Sequence, residues 1–417
     1  MGMTIGEKIL AKSCGKAAVT PGEIITAKVD LCMTNDATTH ISIDIFENQL
    51  NKKVIFDTNR VVFVVDHNIP SESAKTSEVQ KKMRDFARLH NITFYEGGGI
   101  CHQLMIDNHV TPSQLVVAAD SHTCVYGALG AFGAGVGSTD FVAAMATGEI
   151  WLMVPGSFRF ELHNQLPEGV YARDLILKII GDIGADGANY KIMEFTGDAM
   201  ENLSIDDRIV LCNMAVEAGA KTGIIGVDKK TEDFIAGRGR KIEQAFASDA
   251  DAAYERSYTY DLGQLEPMVA KPHFVDNVVP VSQLGRDVKV DQCFIGSCNN
   301  GRIEELRVAA GILKNNRISN KVKLLVSPAS QEIYLKAIEE GLIQTFVESG
   351  AMVLNPNCSV CWGSCQGVIG KGEVLVSTGT RNFKGRAGHV DSFTYLASAA
   401  TVAASALTGC ITDPRRL

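Results

Sequence analysis

The chain has 417 residues, 46% hydrophobic and 21% charged, with a formal net charge of −8. That length exceeds what one hydrophobic core supports and implies two or three domains. The acidic balance excludes a general nucleic-acid or anionic-membrane surface, yet a few arginines can still build a local pocket for an acidic substrate.

No run of about eighteen apolar residues occurs, so no membrane-spanning helix is expected. The N-terminal stretch MGMTIGEKILAKSCG lacks the apolar core of a secretory signal. Eleven scattered cysteines do not make a disulfide framework. Together these features predict a cytoplasmic enzyme with reduced thiols.

Residues 4–14 read as a short helix, Pro21-Gly22 as a turn and Ile24–Leu31 as a strand, followed by the hydroxyl-rich MTNDATT. Val61–Val65 is a buried strand that ends in Asp66-His67 and is broken by Pro70. Ser73–Leu89 has helical periodicity. ITFYEGGGICHQ is a strand and turn with His102 after three glycines, and Leu115–Ala119 runs into Asp120, Ser121 and His122. The segment GALGAFGAGVGSTD is a glycine-rich loop before an apolar helix, with Ser138 or Thr139 as its N-cap. Its spacing Gly133-x-Gly135-x-Gly137 does not match a dinucleotide fingerprint. Glycines that permit close packing, or anion approach at a helix N-terminus, are the favoured reading.

A second domain begins near Pro155, with SFRFEL as a strand and Ala172–Ile183 as a helix. RIVLCNMAVEAGAKTG reads as one helix, with Asn213 and Glu217 four apart and so on one face. Residues 228–262 read as a solvated helix and loop, and VAKPHFVDNVVPVSQL as a linker. The last domain repeats a strand with a polar end in CFIGSCNNGR, VKLLVSPASQ, AMVLNPNCSVC and EVLVSTGTRNFKGR, with helices at about 303–313, 329–340 and 362–369. This alternation predicts an α/β fold with parallel or mostly parallel sheets, divided into residues 1–155, 156–285 and 286–417.

In open α/β sheets ligands bind beyond the carboxyl ends of the strands. Nearly every apolar run here delivers a reactive group at that end: Asp66-His67, His102, Asp120-Ser121-His122, Cys298, Cys358 with Cys361, and Arg381 with Arg386. If the domains face one another, these groups meet in one cleft. Cys298 and the Cys358-x-x-Cys361 pair make three thiolates, one fewer than a closed tetrahedral site needs, so a metal position stays open to substrate. Taken alone, the Cys-x-x-Cys pair is also compatible with a redox pair or half a zinc site. Cys365, a helical turn beyond Cys361, reads as packing, and Cys14, Cys32, Cys101, Cys124, Cys212, Cys293 and Cys410 as small buried hydrophobes. A carboxylate beside an imidazole orients it and tunes it as an acid or base. Two guanidinium forks at Arg381 and Arg386 suit a dicarboxylate or a phosphate.

The motifs DHNIP, GGGICHQ, AADSHT, FGAGVGSTD, CNMAVEAGAKTG, FIGSCNNGR, C-x-x-C and RNFKGR, in this order, resemble the aconitase superfamily from about residue 4 to 413. The resemblance is to large subunits of the 3-isopropylmalate dehydratase and homoaconitase type. It implies an aconitase-type fold of three α/β domains around a central cleft, and a 4Fe–4S cluster on Cys298, Cys358 and Cys361. It further implies that Asp66 and His67 protonate the departing hydroxyl, that His102 pairs with Asp120 and His122 with Glu217, that Ser121 and Asn213 support substrate or cluster, and that Arg381 and Arg386 bind carboxylate. The implied reaction is reversible dehydration of a substituted malate. The family's swivelling domain, with its catalytic serine, has no counterpart before the terminal DPRRL, so a separate small subunit is expected and the chain alone is expected to be inactive.

The chain departs from the family pattern beside the cysteines. Asn299 stands where Thr is usual, Trp362 where Leu follows the second motif, Thr380 where Asn is usual, and Asn35 where His or Gln is common. These neighbours are expected to bear on substrate identity, for example 2,3-dimethylmalate in place of 3-isopropylmalate. A homoaconitase-type isomerase and an aconitase-like RNA-binding regulator are the alternatives, the second disfavoured by the acidic charge.

Overall fold

Leu31–Asn35 and Val61–Val65 are buried at every position and pair in parallel at the centre of the first sheet, which is why VVFVV and the opening LCM are apolar without alternation. The computed structural model describes residues 2–50, 53–285 and 288–417. The first sheet is all parallel, in the order Thr93–Glu96, Val61–Val65, Leu31–Asn35, Leu115–Ala118, Phe132–Gly135. Its strands therefore run third, second, first, fourth, fifth in chain order, and the direction of winding reverses between Leu31–Asn35 and Leu115–Ala118.

The last sheet repeats this order. Its five parallel strands are Met352–Val353, Lys323–Val326, Gln292–Ile295, Val374–Ser377 and Phe393–Leu396, extended antiparallel by Met268–Ala270 and Val278–Pro280. Here the reversal lies between Gln292–Ile295 and Val374–Ser377. A crevice opens at such a reversal because the two connections leave in opposite directions. Between the two sheets in sequence lies a third, all parallel, in the order Thr222–Ile225, Ile192–Thr196, Ser157–His163, Arg256–Asp261. One buried cluster joins Val62 and Val116 of the first sheet to Phe160 and Met193 of the middle one.

Several local expectations need correction. Ile24–Leu31 is not one strand: Ile24–Lys28 pairs antiparallel with Glu149–Met153, and a new strand starts at Leu31. Thr39–Gln49 is a helix with no clear signal in the sequence. The helix Ser138–Thr147 is preceded by Gly137, without a side-chain cap from Ser138 or Thr139. Arg256–Asp261, expected as loop, is a strand, and the expected linker supplies two strands of the last sheet, which thus begins before residue 286. No helix forms at 362–369, where Gly363 and Gly367 take φ of +77° and +68°. The expected helix over Asn213 and Glu217 is an α-helix, Ile205–Met214, that tightens into a single turn at Ala215–Ala218.

The glycine-rich stretch serves close packing. A Cβ at Gly127 would lie 1.7 Å from the Gly223 carbonyl oxygen, and one at Gly133 would lie 2.0 Å from that of Thr123.

Candidate active site

Both reversal points empty into one cleft of roughly 230 Å³. From the first sheet it receives Asn35, His67, His102, Asp120, Ser121 and His122; from the last, Cys298, Cys358, Cys361, Trp362, Arg381 and Arg386. Asp66, Asn213 and Glu217 stand directly behind and touch residues of the lining. The cleft therefore brings together every site residue expected from the sequence.

The Asp66-His67 turn is held by Asp36. Its Oδ1 accepts the backbone N–H groups of Asp66 and His67 at 3.0 and 2.9 Å, and its Oδ2 that of Asn68 at 2.9 Å. Asp66 is fully buried; its Oδ1 lies 2.7 Å from His67 Nδ1, and its Oδ2 accepts the Cys101 N–H at 2.6 Å. Burial opposes a charge on His67, but Cys358, Asp66 and Asp36 outweigh it and hold the imidazole well above the ordinary histidine range. Asp36 is the residue that motif reading missed; the only hint was its place in the polar MTNDATT after a strand.

Two further histidines are paired as expected. His102 Nε2 lies 2.8 Å from Asp120 Oδ1, while Asn35 Nδ2 donates to Asp120 Oδ2 at 3.0 Å. Burial raises the Asp120 carboxyl, but His102 and His122 more than offset this and hold it well below the usual carboxylate range. His122 Nε2 lies 2.9 Å from Glu217 Oε1, which also accepts Arg381 Nε at 2.8 Å. Arg381 Nη2 donates to Ser121 Oγ at 3.0 Å. Burial lowers His122, so the imidazole is neutral near neutral pH and can take a proton.

The three cysteines come from two loops with strained backbones. Ser297, just before Cys298, has φ of +74°, and Ser359, just after Cys358, has φ of +47°, a region that non-glycine residues adopt rarely. Asn213 Nδ2 donates to Cys298 Sγ at 3.4 Å, and Thr380 Oγ1 lies 3.5 Å from Cys361 Sγ. Burial raises the Cys298 thiol, and the neighbouring Cys361 and Cys358 raise it further. Burial likewise pushes Cys358 up to about 12. At Cys361 burial is outweighed by Arg386 and by hydrogen bonds from Thr380, and the thiol is lowered. Three soft sulfur donors lining one cleft fit a cationic iron–sulfur group, which would take all three as thiolates. Cys365 is turned away, with Sγ directed at the Pro70 carbonyl oxygen 3.8 Å distant.

Of the unusual neighbours, only Trp362 and Asn35 line the cleft. Asn299 is fully buried and faces away: its Oδ1 accepts Arg173 Nη1 at 2.6 Å, and Arg173 Nη2 donates to the Gly379 carbonyl at 2.5 Å. Asn299 and Thr380 are not part of the cleft lining.

The sequence description of the aconitase family (aconitate hydratase) matches residues 7–409. The chain belongs to the aconitase family. As a member it is an enzyme of the hydro-lyase class. It is 49% identical to the 3-isopropylmalate dehydratase large subunit of Heliobacterium modesticaldum, over 100% of both chains. It is 47% identical to the 3-isopropylmalate dehydratase large subunit 1 of Pyrococcus furiosus, covering 100% of this chain and 99% of that one. It is also 45% identical to the probable methanogen homoaconitase large subunit of Methanothermobacter thermautotrophicus, covering 99% and 98%. Among solved structures, aconitase X of Thermococcus kodakaraensis in its holo-form superposes with a TM-score of 0.53 over 88% of each chain at 11% identity, a likeness of fold. No helix among the described residues of this aconitase-family chain is long and apolar enough to cross a membrane.

Proposed function

We propose that this chain is the large subunit of a cytoplasmic iron–sulfur hydro-lyase that reversibly removes water from a substituted malate, 3-isopropylmalate or 2,3-dimethylmalate. The observation that carries the reading is the meeting of three cysteine thiols, three histidine–carboxylate pairs and two arginines in one cleft. Cys298, Cys358 and Cys361 would hold a 4Fe–4S cluster, and such a cluster supplies a Lewis acid that polarises the hydroxyl to be lost.

The remaining chemistry belongs to the side chains. Hydroxide is a poor leaving group without a proton, and His67, kept charged by Asp66 and Asp36, is the acid placed to give one. Asp120 and the Tyr126 hydroxyl fix both ring nitrogens of His102, and Glu217 fixes His122 through Nε2. Arg381 and Arg386 offer guanidinium forks to the substrate carboxylates, with Ser121 steadying the first. Removal of the carbon-bound proton falls, on this reading, to a serine of the small subunit. The full-length relatives named as large subunits support that partner.

Anaerobic reconstitution with iron and sulfide tests the reading. A brown protein with about four irons per chain, and dehydratase activity on alkylmalates only with the small subunit, is the expected result. A colourless protein, or one inactive on every alkylmalate with its partner present, overturns it.

A further inference from the structure

Trp362 is the only large apolar side chain lining the cleft among the described residues; the other walls are polar groups, thiols and small side chains. Its indole meets the His67 ring edge-on at 4.9 Å and 86°, and the Arg386 guanidinium carbon lies 5.7 Å from its centre. Nε1 donates to Asn68 Oδ1 at 3.2 Å, and the backbone N–H donates to the Ser359 carbonyl at 3.1 Å. The next residue, Gly363, has φ of +77°, and a Cβ there would lie 1.9 Å from the Arg386 carbonyl oxygen, so the chain on both sides of the indole is clamped. These contacts hold the indole against the wall of the cleft.

We propose that Trp362 is the specificity-determining residue of this enzyme, setting the size of the alkyl substituent that the cleft accepts and restricting it to small groups; this rests on the substituted-malate reading above. A malate is anchored at two kinds of point, its hydroxyl near His67 and a carboxylate at Arg386. Trp362 contacts both anchors, so the carbon chain that spans them lies along the indole. Within this chain's part of the cleft the indole is the large apolar surface an alkyl group can bury against, and it takes room that a smaller side chain would leave. Leucine at this position would open room for a branch.

The test is calorimetric titration of the reconstituted two-subunit protein with 2-methylmalate, 2,3-dimethylmalate and 3-isopropylmalate, in the wild type, W362F and W362L. In apolar pockets one methylene changes discrimination by roughly 10–200-fold. The wild type is expected to bind the methyl-bearing ligands at least about tenfold more tightly than the isopropyl-bearing one. W362L is expected to cut that ratio about tenfold or more, with W362F between them. The same ratios from steady-state kcat/KM should follow the binding data. Parallel size profiles in all three proteins, with tight binding in each, overturn the assignment to Trp362 and leave the substituted-malate reading intact. A wild type that binds none of the three overturns both. Should W362L not fold, an unchanged ratio in W362F is the overturning result.

Discussion

Glu217 Oε1 lies 2.9 Å from His122 Nε2 across 95 residues of sequence, and both side chains are buried. Burial tends to raise the Glu217 carboxyl, but His122 and Arg381 overcome it and keep the group ionised. On His122 burial acts downward and Glu217 upward, with burial prevailing. The pair is thus an anion steadying a neutral imidazole. Glu217→Gln removes the upward influence, so His122 should titrate still lower, and dehydratase activity should fall by about 100-fold or more. Histidine ring signals followed by NMR across pH 4–8 check the first outcome and initial rates the second; an unmoved His122 titration refutes the coupling. The depressed folded value also has a sign for stability. The unfolded chain binds the proton more readily, so this contribution is complete above the ordinary histidine value of about 6.5 and is lost as pH falls from there through the lower folded value.

Replacing Cys298, Cys358 or Cys361 by serine, one at a time, should leave reconstituted protein without its visible absorbance and with most iron lost. Cys365→Ser should keep both, because that thiol faces the Pro70 carbonyl. Iron and acid-labile sulfide assays separate the two groups. Loss of iron in Cys365→Ser would mean that Cys365 is part of the site.

Asp36 accepts three backbone N–H groups of the Asp66–Asn68 turn. Asp36→Ala leaves these donors buried without partners, and each such orphan costs about 1–3 kcal/mol. Urea unfolding of the variant should show a loss of at least about 2 kcal/mol, and activity should fall because His67 is no longer aimed. Burial raises the Asp36 carboxyl, but His67 and the backbone donors lower it to about 2. Its contribution is therefore full above the ordinary aspartate value of about 4 and is lost as pH falls toward about 2.

Asn299 tests which departures from the family pattern touch chemistry. Its amide oxygen holds the fully buried Arg173, which also donates to Met214 Sδ and to the Gly379 carbonyl next to Thr380 and Arg381. Asn299→Thr should destabilise the protein by about 1–3 kcal/mol, since a buried guanidinium loses an acceptor. The preference among alkylmalates should not change. Thermal unfolding and competition between two substrates read these separately, and a shift in preference would show that Asn299 acts on the ligand after all.

The sequence by itself determined the elements with strong local pattern. Runs such as VVFVV and LVVA are apolar throughout, and only strands covered on both faces bury every residue that way. The reactive groups at their ends were legible for the same reason, because a strand that stops at a polar residue exposes it beyond the sheet edge. Where local pattern was weak, tertiary structure decided. Arg256–Asp261 is charged and half-exposed, and is a strand because Ser157–His163 offers it an edge to pair with. Segment 362–369 has residues that could form a helix, but contacts to Asn68, Pro70 and the Arg386 backbone hold it as a loop. Above all, no short window of sequence states which way a side chain faces once the sheets meet. Asn299 and Trp362 each follow a cysteine; packing against Arg173 turned the first into the core, and the clamp around Gly363 left the second on the wall of the cleft.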